Sequence, residues 1–124
     1  MVIMNRELRF RGWCKTNKEM VQIQKISFKN NKVMPYKWNI AWDIEEFEIM
    51  EYTGLVDSKG VDIFEGDILQ TRDGLMVVEY NQDRFECINS VGNNFRLYDY
   101  IYFGFTKVIG NIYESKNLLE DAKC

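Results

Sequence analysis

Short runs in which apolar and polar side chains alternate, each closed by a cluster of Gly, Asn, Asp or Lys, dominate this 124-residue chain. A period of two sends successive side chains to opposite faces of an extended backbone, so runs of this kind bury one face only as β-strands. Glu7-Leu8-Arg9-Phe10-Arg11-Gly12-Trp13 sets the pattern, with Leu8 and Phe10 alternating with Arg9 and Arg11. Lys15-Thr16-Asn17-Lys18 turns the chain into Met20 to Phe28, and Lys29-Asn30-Asn31-Lys32 turns it again into Val33-Met34-Pro35-Tyr36. Pro35 cannot donate to a ladder, which places the third run at an edge or a strand end. These three runs read as a β-meander. From Trp38 to Glu46 an alternation of Trp38, Ile40, Trp42 and Ile44 competes with residues suited to an irregular crossover, and no element is assigned there.

The same grammar continues downstream. Phe47 to Tyr52 reads as a strand, and Asp57-Ser58-Lys59-Gly60 as a tight turn. Val61 to Gln70, Leu75 to Tyr80, Arg84 to Asn89 and Phe95 to Tyr98 follow, separated by Arg72-Asp73-Gly74, Asn81-Gln82-Asp83 and Gly92-Asn93-Asn94. Asp-Gly between two β-rich runs is a strong hairpin signal. Thr106 to Tyr113 is a last apolar, β-branched run, and Glu114 to Lys123 suits one or two helical turns capped by Ser115. No helical period is sustained, so a mainly-β fold with a small barrel is expected over a parallel α/β sheet. The expected division is an N-terminal β region over 1–48 and a barrel domain with a C-terminal tail over 49–124, two packed parts without a flexible linker.

A hydrophobic fraction of 46% with a single proline supplies an apolar interior without metal or disulfide staples. Cys14, Cys87 and Cys124 are odd in number, far apart and outside any C-x-x-C pattern, which points to a reducing cytoplasm. The first residues lack the apolar core of a signal peptide, and no stretch approaches roughly 18 consecutive apolar residues, so neither export by that route nor a membrane partner is expected.

Histidine is absent from the sequence. With it go the usual general base near neutral pH, the usual activator of a Ser or Cys nucleophile and the commonest zinc ligand. The chain also lacks a P-loop, a G-x-G-x-x-G and a G-x-S-x-G, so no cofactor is expected and no catalytic residue is assigned. Carboxylates cluster at Asp43, Glu45, Glu46, Glu48 and Glu51 and again at Asp62, Glu65 and Asp67, but on strands such residues alternate outward into water, and no metal site is assigned. Asp57 to Asp62 has the look of a calcium loop without its other ligands and its terminal Glu; a turn accounts for it better. Glu65-Gly66-Asp67 reads as architecture at a strand entry, and Cys87 as a small buried hydrophobe.

The net charge of −3 hides an asymmetry: residues 1–37 hold nine Lys or Arg against two Glu, and residues 38–124 hold seven against seventeen Asp or Glu. Two functional readings follow. In the first, the chain is a non-enzymatic module that assembles with itself or with another protein, using opposite charges and the partner-facing aromatics Tyr98, Tyr100, Tyr102 and Phe103. In the second, Arg6, Arg9, Arg11, Lys15, Lys18 and Lys25, with Lys29, Lys32 and Lys37 behind them, neutralise the phosphates of a nucleic acid. The same rings also serve as filling for a small β core.

The segment Glu51-Tyr52-Thr53-Gly54-Leu55-Val56-Asp57-Ser58-Lys59-Gly60-Val61-Asp62-Ile63-Phe64-Glu65-Gly66-Asp67-Ile68 resembles the signature of the YopX family of bacteriophage and prophage proteins. Glu7 to Trp13 resembles its N-terminal motif and Val108-Ile109-Gly110-Asn111-Ile112-Tyr113-Glu114 its C-terminal one, with Ser115-Lys116-Asn117 in place of an expected Asn-Pro. The resemblance implies an SH3-like C-terminal barrel and a phage or prophage origin. It implies no activity and supplies no catalytic residues.

Overall fold

A computed structural model describes residues 8–122 and is mainly β, with two antiparallel sheets. The chain forms two compact units, one ending at Tyr52 and the other beginning at Thr53.

In the first unit, β1 (Phe10–Cys14), β2 (Glu19–Ser27) and β3 (Lys32–Pro35) form the meander that the alternation predicts. Lys18 and Asn31 hold positive φ at the two turns. The unassigned crossover resolves into β4 (Trp42–Asp43), two residues long, and a 3₁₀ turn at Ile44–Glu46. β5 (Phe47–Val56) lies antiparallel to β1, with Gly12 opposite Ile49. Cys14, Val21, Ile23, Val33 and Phe47 form this unit's core, and Trp38 and Trp42 pack against it with ring centroids 5.2 Å apart.

The last residues of β5 open the second unit, and β6 (Asp62–Phe64) joins the same sheet, whose order is β4-β3-β2-β1-β5-β6. The second sheet contains β7 (Asp67–Thr71), β8 (Gly74–Asn81), β9 (Arg84–Ile88), β10 (Asn94–Arg96) and β11 (Thr106–Asn111), in the order β10-β9-β8-β7-β11. The Asp73-Gly74 hairpin pairs Ile68 with Val77 and Leu69 with Met76. This order is compatible with an SH3-like sheet; among the described residues no strand pairing closes it into a barrel. Ile63, Leu69, Val78 and Leu97 form the second unit's fully buried core, each contributing about 1.5–3 kcal/mol of apolar transfer.

A helix, α1 (Leu97–Phe103), stands where the sequence reads as the end of a strand followed by an aromatic run. Leu97 and Ile101 are four residues apart, so one turn of helix lays both on the second core, while Tyr98 and Tyr102 go outward. Asp99 in the first turn suits the positive end of the helix, and the Gly104 N–H closes the last turn on the Tyr100 carbonyl at 3.1 Å. A second short helix, α2 (Lys116–Ala122), follows Ser115.

Two glycines separate backbone from packing constraints. Gly60 has φ +83° and open space around its Cβ position, whereas a Cβ on Gly110 would lie 2.7 Å from the Ser115 Cβ. Gly60→Ala is expected to lose about 1 kcal/mol through φ alone. Gly110→Ala is expected to lose about 1–3 kcal/mol by forcing β11 from the Ser115 turn. Urea denaturation of the two variants checks both the losses and their order.

Candidate functional site

The residues that make the sequence distinctive come together as turn supports. Asp57 is 6% exposed, and its Oδ1 accepts the Lys59 and Val61 N–H groups at 2.8 and 2.9 Å. Its Oδ2 accepts the Val108 N–H of β11 at 2.9 Å, so one carboxylate both folds its own turn and ties that turn to a strand 51 positions away. Burial pushes this carboxyl up, but the Val108, Val61 and Lys59 amides together hold it below its ordinary value of 3.8. Ser58 adds a reciprocal pair with Thr106: its N–H donates to the Thr106 carbonyl and its Oγ accepts the Thr106 N–H, each at 3.0 Å.

Asp67 repeats the device on a smaller scale. It is 1% exposed, and its Oδ2 accepts the Phe64 N–H at 2.8 Å across Glu65 and Gly66. The C-terminal motif uses a carboxamide instead: Asn111 Oδ1 accepts the Tyr113 and Glu114 N–H groups at 3.0 and 2.9 Å, and its Nδ2 donates to Glu114 Oε1 at 3.0 Å. The architectural reading of Glu65-Gly66-Asp67 therefore extends to the other motifs.

The acidic clusters are similarly engaged. Asp43 pairs with Lys32 at 2.5 Å, Glu48 with Lys15 at 3.2 Å, and Glu46 accepts the Thr16 hydroxyl at 2.5 Å. Among the described residues no three His, Cys, Asp or Glu side chains converge to hold a metal ion. Glu86, 4% exposed, is a buried carboxylate that the sequence reading missed. Hydrogen bonds from Asn94 and Arg84 hold it below its ordinary value, with a further one from Asn81. Its signal in the sequence was a glutamate set between the apolar residues Phe85 and Cys87 of a strand. Cys87 is fully buried, as expected, and burial pushes its thiol up to about 11.

The basic candidates do not act as one set. Arg6 and Cys124 lie outside the described residues. Arg9 lies over the Tyr52 ring at 4.1 Å, and Arg11 is only 8% exposed. Lys15 is held by Glu48 and the Glu45 carbonyl; Lys32 and Lys37 pair with Asp43 and Glu19. Lys18 is exposed at the β1–β2 turn and Lys25 is exposed on β2.

The aromatic candidates also divide. Tyr98 and Tyr102 stack 5.8 Å apart with planes at 19° and are 53% and 67% exposed. Tyr100 turns inward: its hydroxyl donates to Asp73 Oδ2 at 2.7 Å, its ring meets Phe95 edge-on, and burial with that bond pushes its phenol up to about 12. Phe103 lies in α1, with its side chain outside the described residues. Phe28 and Tyr36, 76% and 65% exposed in the first unit, are the rings the sequence reading passed over. Both follow a strand's last ladder residue, where alternation no longer says which way a side chain faces.

These observations define a mainly-β protein whose distinctive residues build turns and whose exposed large side chains include the rings of Phe28, Tyr36, Tyr98 and Tyr102. The profile of the YopX protein family matches residues 9–120, and the chain belongs to that family. Its fold is similar to the crystal structure of protein EF1440 from Enterococcus faecalis, with a TM-score of 0.71, 26% identity, and coverage of 93% of this chain and 99% of that one. No curated protein matches the sequence. Among the described residues no helix is long and apolar enough to cross a membrane.

Asp57 gives a direct test of the turn-support role. Its folded value lies below the unfolded one, so its stabilisation is complete above about 3.8 and lost as pH falls through the lower folded value. Asp57→Asn replaces one acceptor oxygen by a donor and is expected to cost about 1–3 kcal/mol at pH 7. The variant's urea midpoint should then fall less than the parent's as pH drops below about 3.8.

Proposed function

We propose that this YopX-family chain is a non-enzymatic interaction module of a phage or prophage, working in the host cytoplasm and associating with itself through protein contacts. Family membership supports the origin, and the buried thiols of Cys14 and Cys87 fit a reducing compartment. One observation carries the interaction reading: the Tyr98–Tyr102 stack, displayed on α1 with more than half of each side chain's residue surface open. Tyrosine offers a large rigid contact area with a polar tip, and it is enriched where proteins bind one another. Phe105, 46% exposed just beyond the helix, continues the aromatic surface in sequence.

The charge asymmetry supports the module less than its magnitude implies. Lys15, Lys32 and Lys37 are already neutralised inside their own unit, so the association rests on rings and its salt dependence is weak. Sedimentation velocity between about 1 and 300 µM, a range chosen to span ordinary transient affinities, tests this. The expected result is concentration-dependent self-association that changes less than about twofold between low and high salt and weakens at least about tenfold in Tyr98→Ser/Tyr102→Ser. A strict monomer throughout defeats the self-association reading.

A further inference from the structure

A separate concavity lies in the first unit, on the meander, with a volume of about 450 Å³. Phe28, Tyr36, Lys25, Gln22 and Gln24 line it, as does Arg9, which is already placed over the Tyr52 ring. Among the described residues no Asp or Glu lines it, whereas Lys15, Lys32 and Lys37 of the same unit pair with carboxylates. We propose that this groove binds single-stranded nucleic acid, with an unpaired base against Phe28 and Tyr36 and an adjoining phosphate against Lys25. The site stands independently of the tyrosine face on α1.

The chemistry of the lining selects the ligand. An exposed lysine with no carboxylate in the lining favours an anion, and rings that are 76% and 65% exposed offer flat apolar faces to a planar partner. A nucleotide supplies both in one repeating unit, which is the combination used by sequence-tolerant single-strand binders. Glutamine offers a donor and an acceptor side by side, the arrangement that matches a base edge. A duplex hides its base faces, so it satisfies Lys25 and leaves the rings idle. An acidic peptide satisfies Lys25 as well, and that makes it the competitor to test.

The backbone explains why the groove has this lining. β2 and β3 lose register between Ile23 and Lys25, which inserts Gln24 as an extra residue. A bulge re-aims the side chains around it, and here it brings Lys25 into the groove on the same stretch of β2 as Gln22 and Gln24.

Fluorescence anisotropy of the full chain with labelled oligo-dT and oligo-rU at low salt tests the proposal. Binding is expected, with Phe28→Ala and Tyr36→Ala each weakening it by about fivefold or more and Tyr36→Phe retaining it. Lys25→Gln should lower the slope of log affinity against log salt by about 0.7, and Lys18→Gln, outside the groove, should change it less. Phe28 and Tyr36 are exposed, so their substitution leaves the core intact, and unchanged far-UV circular dichroism verifies that. No binding at low salt overturns the proposal. So does binding that neither ring substitution moves, or displacement of the oligonucleotide by poly-glutamate as readily as by unlabelled oligonucleotide.

Discussion

A chain that changes direction this often must find acceptors for the N–H groups its turns expose, and side-chain oxygens of Asp and Asn supply them. Buried backbone donors left without acceptors each cost a substantial part of a small protein's net stability. Asp57, Asp67, Asn89 and Asn111 each receive N–H groups from residues within a few positions of themselves. Asp57 goes further and receives one from Val108 as well. The strands are placed by what these four side chains allow, and the two apolar cores fill in behind them.

That division of labour separates what makes the family recognisable from what the protein does. The residues carrying the YopX signature are spent on geometry: a carboxylate at one corner, a carboxamide at another, a glycine where a Cβ has no room. Surface chemistry is left to residues outside those motifs, such as Phe28, Tyr36, Tyr98 and Tyr102. A family can then hold its fold constant while the rings and cations displayed on it differ from member to member.

The strands were legible because alternation and turn chemistry agree wherever one face is buried. The meander from Phe10 to Pro35 and the hairpin at Asp73-Gly74 are examples. The helix at Leu97 was not legible: Tyr, Ile and Phe favour extended structure, and seven residues are too few for a helical period to outweigh that preference. Burial of Leu97 and Ile101 on the second core decides the matter, a tertiary effect that composition does not carry. The β4 segment fails for the related reason that a two-residue strand has no period at all. For the candidate site, the cations were visible but not their partners. Asp43 and Glu48 neutralise Lys32 and Lys15 from positions on other strands, and only the fold brings those pairs together.

The grip of Asp57 and Ser58 on β11 has an effect beyond the monomer. β11 is a terminal strand of its sheet, and such a strand ordinarily offers a template on which foreign strands can assemble. Here the amides of Thr106 and Val108 are already occupied by the turn. At the opposite end β10 is three residues long and runs directly into a helix. The second sheet is thus shielded at one margin by hydrogen bonding and at the other by brevity, so neither edge offers a passing strand a long run of open amides.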